Sequence, residues 1–328
     1  MKTILITGGL GMIGSSIALE LFKLGHKIIL LDFFDPKYGA NLNNIKEIKD
    51  NIEIINLDIR DFEKISYRLK DIDIIFNMAG QINHNLSLEN PIYDAEINYM
   101  GHLRVLEEIR KHNPSIKIIY SGTRLQYGKI DNNPVLEDHA MEPLTPYALN
   151  KMAAESIYLY YYRMFGIRCT CFRITNPYGP RGQIKHSGYG IVNWFIRQAI
   201  ENREISIYGD GKQKRDYIFI DDLVCGLIKS AFSDTTDGKV YNLGSGNGIC
   251  FIDMAETIIR ISGSGKINLI DWPENYINVE TGDFIADISK LKNDIEWSPV
   301  FSLEVGIEKT IDFYKENYDI YVEKRELS

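Results

Sequence analysis

A tyrosine and a lysine four residues apart carry the clearest chemistry in this sequence: Tyr147 and Lys151, in the run Pro-Tyr-Ala-Leu-Asn-Lys. Helical positions four apart share one face, so the phenol and the ammonium can approach a single bound molecule. A free phenol has a pKa near ~10 and is a poor base at neutral pH, but a neighbouring cation favours the phenolate and lowers that pKa. The pair therefore indicates a tyrosine that exchanges a proton with a substrate, although an isolated Tyr-x-x-x-Lys is also common on ordinary helix surfaces.

A glycine-rich turn near the N-terminus predicts a dinucleotide site. Gly9, Gly11 and Gly14 follow a strand pattern and open a helical one, the arrangement in which glycines permit a tight turn and a close approach to pyrophosphate. The helix N-terminus then presents unpaired N–H groups and a partial positive charge to the phosphates. We expect bound NAD to contact Gly8, Gly11, Met12, Ile13 and Gly14.

Two acidic residues at predicted strand ends bear on the choice of dinucleotide. Asp32 follows the second strand pattern, where a carboxylate accepts hydrogen bonds from ribose hydroxyls and repels a 2′-phosphate, so NAD is favoured over NADP. Asp58 follows the third strand pattern, next to Ile59. It either contacts the adenine amino group or caps the next helix, and both interpretations stay open. We assign Asp32, Asp58 and Ile59 to the cofactor site.

The elements that position these residues alternate through the first half of the chain, which predicts βαβ units and a parallel sheet. Strands are expected at Thr3–Thr7, Lys27–Asp32, Glu53–Leu57, Ile72–Asn77, Lys117–Ser121 and Arg168–Ile174. Helices are expected at about 11–24, 61–70, 92–112 and 147–165, and later near 188–201, 220–231, 251–261 and 302–317. We predict an α/β fold: a Rossmann-type doubly wound parallel sheet in an NAD-binding domain, 1–175, and a smaller C-terminal α/β substrate-binding domain, 176–328. Some strands of the second domain, Val240–Leu243 among them, should return to the main sheet.

Composition excludes several classes of function. The 328 residues are 45% hydrophobic and 25% charged, with a formal net charge of −8, which is ordinary for a globular protein and offers no basic stripe for nucleic acid. No apolar run approaches the ~20 residues that a membrane span needs. The apolar start of the chain, Met1–Thr7, is too short for a signal peptide and is interpreted as the first strand.

The four cysteines lack the spacing of metal ligands, so no metal site is expected. Cys169 and Cys171 alternate along a predicted strand and should point to one face as small hydrophobic side chains. A reducing, cytoplasmic location is the simplest interpretation.

Further segments resemble a known family. They are Asn77–Gln81, Glu96–Gly101, Tyr120–Gly128, Phe172–Arg181, Gly209–Asp216 and Ile295–Pro299. Together with the glycine-rich turn and the Tyr147/Lys151 pair, they resemble the extended short-chain dehydrogenase/reductase family, and within it the NAD-dependent nucleotide-sugar epimerases and dehydratases. The resemblance covers nearly the whole chain and many ordered matches.

The resemblance implies a role for each matching residue. Thr123 would hydrogen-bond the reacting sugar oxygen, Tyr147 would be the acid/base, and Lys151 would modulate its pKa and bind the nicotinamide ribose. Asn176 would contact the substrate near its diphosphate, and Arg215 would pair with the diphosphate. Ala79, Gly80, Gln81, Asn98 and Ser121 would complete the NAD site together with Tyr147 and Lys151.

The sequence departs from the family pattern at two places that bear on function. The family's 4,6-dehydratases carry Asp and Glu directly after the catalytic Thr, where this chain has Arg124 and Leu125, so we expect no dehydratase activity. Many relatives carry a phosphate-binding Arg where this chain has Glu280. Arg181 or Lys185 is expected to substitute for it.

The resemblance implies an epimerase that acts on a nucleoside-diphosphate sugar, most often at C4 through a transient 4-keto sugar. The alternatives are a 4-dehydrogenase or 4-ketoreductase with the same site, a C2 epimerase, and a non-catalytic NAD-binding regulator. A homodimer is expected through the helices about 92–112 and 147–165. The second of these helices carries more apolar surface than one core-facing stripe needs, at Tyr158, Leu159, Tyr161, Tyr162 and Phe165.

Overall fold

The structure, a computed structural model, describes residues 1–273 and 277–322. Its main sheet has seven strands in the order β10-β6-β5-β4-β1-β2-β3, and all neighbouring pairs are parallel. Strands β1 to β6 are Thr3–Thr7, Lys27–Asp32, Glu53–Asn56, Ile74–Asn77, Lys117–Thr123 and Cys169–Ile174. This is the predicted Rossmann-type doubly wound sheet.

The remaining strands form the edge of this sheet and two smaller sheets. Strands β7 to β12 are Asn176–Tyr178, Glu204–Tyr208, Lys214–Phe219, Lys239–Leu243, Gly248–Cys250 and Lys266–Ile270. β9 lies between β7 and β11, and β8 pairs with β12. β10 lies beside β6 in the main sheet although it follows β9 in the sequence. The division of the chain at 175/176 stays a prediction.

Helices cover both faces of the main sheet. Helices α1 to α8 are Met12–Lys23, His84–Glu89, Pro91–Ala95, His102–His112, Pro146–Phe165, Ile191–Ile200, Ile220–Ala231 and Phe251–Ser262, and further helices cover Ser289–Ile295 and Leu303–Tyr321. Because strand side chains alternate, Ile4 and Ile6 face the core under α1 while Leu5 faces the core under α4 and α5. Cys169 and Cys171 are both buried in the second core, as expected of small hydrophobic side chains on one face.

Two predicted helices differ in type. The segment expected at about 61–70 is a 3₁₀ segment, Ile59–Asp71, divided at Asp61, whose backbone lies outside the helical region (φ −109°, ψ 24°). The segment expected at about 92–112 comprises α3, a π-helical segment, Glu96–Gly101, and α4. Asn98 lies in the widened turns and donates a hydrogen bond to the Gln81 carbonyl at 2.8 Å. Apolar periodicity does not predict this contact with another segment.

The carboxyl ends of the parallel strands meet at one edge of the sheet, where Thr7, Asp32, Asn77 and Thr123 end β1, β2, β4 and β5. Open α/β sheets bind ligands at this edge. None of the helices in the described parts of the chain combines the length and the apolarity needed to span a membrane.

Candidate functional site

One large cavity of about 900 Å³ opens at the carboxyl edge of the main sheet and extends toward the smaller sheets. Nearly all the predicted site residues line it: Gly8, Gly11, Met12, Ile13, Gly14, Asp32, Asp58, Ile59, Ala79, Gly80, Gln81, Ser121, Thr123, Tyr147, Lys151, Asn176 and Arg215. Asn98 does not line the cavity and lies behind the loop that carries Gly80 and Gln81. Predicted site residues that are spread over two hundred positions of the sequence therefore line one cavity.

The glycine-rich turn forms one wall of the cavity, and its glycines are structurally required. A Cβ at Gly14 would lie 2.2 Å from the Gly8 carbonyl oxygen, and Gly8 itself has a positive φ of 64°. Helix α1 starts here with Gly11 as its N-cap and no capping side chain. The first N–H groups of α1 therefore remain available to a ligand, which is the usual arrangement at an anion-binding helix end.

Asp32 supports this turn as well as facing the cavity. Its carboxylate accepts hydrogen bonds from the backbone N–H groups of Leu10 and Phe34, each at 2.9 Å. Burial raises the pKa of Asp32, and these backbone hydrogen bonds oppose the shift. A carboxylate has about four lone-pair sites, so acceptor capacity remains for a diol.

Asp58 caps the segment that follows it. Its side chain accepts the Arg60 backbone N–H at 2.8 Å and forms an ion pair with the Arg60 guanidinium at 2.8 Å. Burial alone would raise the pKa of Asp58, but the hydrogen bonds from Arg60 lower it overall. The capping interpretation is thus correct, and Asp58 still lines the cavity, so the adenine contact stays a prediction.

The N-terminal turn of α5 presents the tyrosine and the lysine. Thr145 is the N-cap and accepts the Ala148 N–H at 3.2 Å, and Pro146 occupies the first turn, both of which favour helix initiation. Tyr147 and Lys151 consequently lie on one buried face of α5, with 7% and 3% of their surfaces exposed. The Lys151 ammonium donates to the Ser121 carbonyl at 3.0 Å and lies 5.3 Å from the Tyr120 ring centre.

Burial and two neighbouring groups set the pKa of Tyr147. Burial raises its pKa, the carboxylate of Asp94 raises it further, and a hydrogen bond with Thr123 lowers it. Burial also lowers the pKa of Lys151 to about 8, while Asp94 opposes this shift. The hydrogen bond from the Thr123 hydroxyl is thus an interaction that favours the phenolate of Tyr147.

Sequence reasoning missed the residues that hold this arrangement. Asp94 is fully buried and accepts hydrogen bonds from Gln81 at 2.7 Å, Asn98 at 3.0 Å and Asn150 at 2.8 Å. The Ser87 hydroxyl accepts the Tyr147 backbone N–H at 3.1 Å. No spacing rule links Asp94 or Ser87 to Tyr147, because they meet only when α2 and α3 pack on α5.

Thr123 is positioned by a buried chain of polar contacts. Its backbone N–H donates to Gln126 Oε1 at 2.9 Å, and Gln126 Nε2 donates to Glu155 at 2.8 Å. Glu155 in turn forms a bidentate ion pair with Arg173 at 2.6 and 3.0 Å. Glu155 lies four residues after Lys151 on α5, so its helical spacing was a signal that could have identified it.

Arg215 is already paired inside the cavity. Its guanidinium donates to Glu280 at 2.5 Å and to the Gly282 carbonyl at 2.8 Å. Asn176 also lines the cavity and donates to the Asp216 carbonyl at 2.9 Å. Glu280, which stands where relatives carry an Arg, therefore neutralises the cation that was expected to meet a diphosphate.

The expected substitutes for a second phosphate-binding cation lie elsewhere. Arg181 stacks over the Phe313 ring at 5.9 Å, outside the lining of the large cavity, and Lys185 lines a smaller neighbouring one. Arg124 does line the large cavity, as does His84. Burial lowers the pKa of His84, and the charge of Arg124 lowers it further.

The residues that line the cavity suit a bound dinucleotide and, beside it, a substrate that can be oxidised. The uncapped start of α1 suits a pyrophosphate, Asp32 suits a ribose diol, and a Cβ at Gly80 would lie 3.1 Å from Lys151 Nζ. The absence of that Cβ keeps the space beside the ammonium open. Asn98 Oδ1, just behind Gly80, is a buried acceptor without a hydrogen-bond partner in the described residues.

Comparison with known proteins agrees with this interpretation. The model of the NAD dependent epimerase/dehydratase family matches residues 4–244. A relative from Methanocaldococcus jannaschii, named putative UDP-glucose 4-epimerase, is 31% identical over 96% of this chain and 99% of its own length.

Solved structures with the same fold include two bound to ligands. The UDP-glucose 4-epimerase of Thermotoga maritima with UDP-glucose has a TM-score of 0.88 and 27% identity, covering 97% of this chain and 100% of its own. The dTDP-glucose 4,6-dehydratase of Bacillus anthracis in complex with NAD has a TM-score of 0.86 and 26% identity, covering 98% and 99%. These neighbours are similar to this chain to nearly the same degree, yet they catalyse different reactions.

Proposed function

Because this chain belongs to the NAD-dependent epimerase/dehydratase family, we propose that it epimerises a nucleoside-diphosphate sugar at C4 through a transient 4-keto sugar. It is an NAD-dependent enzyme of the epimerase and oxidoreductase group. The observation that carries the proposal is the convergence of Thr123, Tyr147 and Lys151 in the same cavity as the glycine-rich turn.

The reaction that we propose assigns a task to each of these side chains. Bound NAD would accept a hydride from the sugar carbon and return it. Tyr147 removes the proton from the C4 hydroxyl and restores it at the end, while Thr123 hydrogen-bonds the same oxygen. Lys151, anchored on the Ser121 carbonyl, holds a positive charge beside the reacting groups. The proposed reaction also requires the keto sugar to turn over inside this cavity between the two hydride transfers.

Two side chains argue against loss of water from the sugar. Dehydration requires an acid and a base beyond Tyr147, and the positions after Thr123 are occupied by Arg124 and Leu125. A guanidinium does not serve as an acid near neutral pH, and an isobutyl group transfers no proton. Net oxidation or reduction at C4, epimerisation at C2, and a non-catalytic NAD-binding regulator remain the alternatives, and the cytoplasmic location stays a prediction.

Incubation with UDP-glucose, UDP-N-acetylglucosamine and UDP-glucuronate, followed by mass spectrometry and absorbance at the NADH band, tests the proposal. An epimerase yields an isomer of equal mass without net NADH. A 4-dehydrogenase or ketoreductase changes NADH in proportion to product, and a dehydratase product is lighter by one water. Absence of any product with all three sugars would favour the non-catalytic regulator.

Asp32→Ala should weaken NAD binding and narrow the preference for NAD over NADP. The substitution removes acceptors for the ribose hydroxyls and the charge that repels a 2′-phosphate, for a loss of roughly 10- to 100-fold in NAD affinity. Calorimetric titration of both dinucleotides measures it. Asp50→Ala, at an exposed site outside the cavity lining, is the control. Wild-type protein that prefers NADP would contradict the assignment.

We also propose a homodimer through α4 and α5, with a revised set of contacts. Tyr158 and Tyr161 are buried in the core and do not contribute. Tyr162 and Phe165 of the predicted set are exposed, by 36% and 43%, and Leu149, Tyr160 and Met164 add further exposed apolar surface to α5, by 51%, 45% and 61%. Such apolar surface on a packed helix favours a partner surface.

Light scattering tests the dimer. The wild type should have twice the single-chain mass of 37.7 kDa, and Tyr160→Glu should shift it toward one chain, because a carboxylate is costly to bury at an apolar interface. Tyr67→Glu alters a tyrosine that is more exposed, 67% against 45% for Tyr160, and lies outside α4 and α5, and it should leave the dimer intact. A wild-type mass of one chain would refute the prediction.

A further inference from the structure

Arg124 is a buried cation without a carboxylate partner. It is 8% exposed, it donates one hydrogen bond, to Thr281 Oγ1 at 2.9 Å, and its guanidinium lies 5.3 Å from the Phe284 ring centre. No acidic side chain in the described segments 1–273 and 277–322 forms an ion pair with it. Since a guanidinium has five N–H donors, most of its hydrogen-bonding capacity is unused.

The other strongly buried arginines of the site differ in this respect. Arg173 is paired with Glu155 at 2.6 Å and Arg215 with Glu280 at 2.5 Å. Burying a charge without a partner is costly. Burial together with the charge of Arg215 lowers the pKa of Arg124 to about 9, while the carboxylates of Glu280 and Asp216 oppose this shift without forming an ion pair with Arg124. Of the two described arginines that line the cavity, Arg215 is therefore paired with a carboxylate and Arg124 is not.

Arg124 lies between the reacting residues and the Arg215–Glu280 pair, because it follows Thr123 in the chain and its guanidinium contacts Thr281, the neighbour of Glu280. Arg124 directly follows Thr123, whose hydroxyl hydrogen-bonds Tyr147. Its charge also acts on His84, at the start of α2, the helix whose Ser87 hydroxyl accepts the Tyr147 backbone N–H. An anion that pairs with Arg124 would therefore lie between the residues assigned to the C4 hydroxyl and those assigned to the diphosphate, which is where the sugar ring of the proposed substrate would lie.

We infer that Arg124 binds a carboxylate at C6 of the sugar, so that the substrate is a nucleoside-diphosphate uronic acid. This inference rests on the proposed function, which places C4 at Tyr147. In a hexopyranose C4 is bonded to C5, which carries C6, so oxidation of C6 to a carboxylate places negatively charged oxygens three bonds from the reacting carbon. A guanidinium binds a carboxylate through two parallel hydrogen bonds, and the free donors of Arg124 allow this geometry.

Binding affinities test the inference. With the NAD-bound enzyme, calorimetry should give a Kd for UDP-glucuronate roughly 10- to 100-fold lower than for UDP-glucose, the advantage expected of charge-assisted hydrogen bonds. Arg124→Met should bring the ratio of the two Kd values close to one. Arg124→Lys keeps the positive charge but loses the parallel N–H donors of the guanidinium, so it should retain part of the preference for UDP-glucuronate. Arg260→Met, at an exposed ion pair with Glu304 outside the cavity lining, should retain all of it.

Other outcomes overturn the inference in distinguishable ways. If wild-type protein binds the two sugars equally, or binds neither, Arg124 does not select a carboxylate. If Arg124→Met weakens UDP alone as much as UDP-glucuronate, its partner is the diphosphate. If Arg124→Met does not fold, Thr281→Val serves as the second variant, because it keeps the guanidinium and removes its hydrogen-bond partner. An unchanged preference for UDP-glucuronate over UDP-glucose in both Thr281→Val and Arg124→Lys contradicts the inference. A clear preference for UDP-glucuronate without a C4 epimer among the products refutes the proposed reaction and leaves the carboxylate site standing.

Discussion

Tyr147→Phe should lower turnover by roughly 10²- to 10⁴-fold, the contribution expected of a general acid–base group, while NAD remains bound. The substitution keeps the ring that packs at the start of α5 and removes the hydroxyl that hydrogen-bonds Thr123. Tyr147 is 7% exposed, so solvent does not easily replace its hydroxyl in the variant. Initial rates at saturating substrate, with NAD content measured after release from the protein, test the prediction.

A matched control separates chemistry from packing. Tyr178→Phe removes another buried tyrosine hydroxyl, which donates to the Leu303 carbonyl at 3.3 Å and does not line the cavity. It should cost about 1 kcal/mol of stability and leave turnover nearly unchanged. Near-normal turnover in Tyr147→Phe, or an equal loss in both variants, would be incompatible with the mechanism.

Glu155→Met should lower the free energy of unfolding by about 3–5 kcal/mol, because it leaves the Arg173 guanidinium buried without its carboxylate. Arg173 and Glu155 are 4% and 2% exposed, so solvent does not screen the loss. The variant also removes the acceptor for Gln126, whose Oε1 holds the Thr123 backbone. Urea unfolding monitored by circular dichroism measures the change, and turnover should fall with it.

The double variant Glu155→Met/Arg173→Met provides the internal comparison. Removing both charges replaces a buried ion pair with apolar side chains, which is often close to neutral, so much of the lost stability should return. If the single variant is as stable as the wild type, or the double variant is less stable than the single one, the buried charge is not the cause.

The sequence predicts the parts of the site that depend on local geometry. The glycine spacing predicts a turn that only residues without a Cβ can make. The spacing of Tyr147 and Lys151 predicts that both side chains lie on one face of a helix. The alternation of apolar runs likewise predicts the parallel sheet, since strands covered on both faces must be apolar throughout.

The parts that the sequence did not predict depend on contacts between distant segments. Asp94 affects Tyr147 only because α3 packs against α5, and Asn98 faces inward only because a π-helical segment places it behind Gly80. The pairing of Glu280 with Arg215 requires the chain to return to β9 after sixty-five residues. The sequence analysis predicts Arg215 as a diphosphate ligand and identifies Glu280 as a departure from the family pattern, but it could not show that the two residues contact each other.

The Glu280–Arg215 ion pair has a consequence for how a diphosphate would be held. A carboxylate tethered beside the guanidinium is an internal competitor, so an incoming anion exchanges places with it instead of entering an empty site. This exchange keeps the Arg215 guanidinium paired between turnovers. The net gain in binding free energy, however, is only the difference between the two ion pairs. Such a site discriminates weakly between substrate and product nucleotides and lets either leave quickly, so selectivity has to come from the sugar end of the cavity.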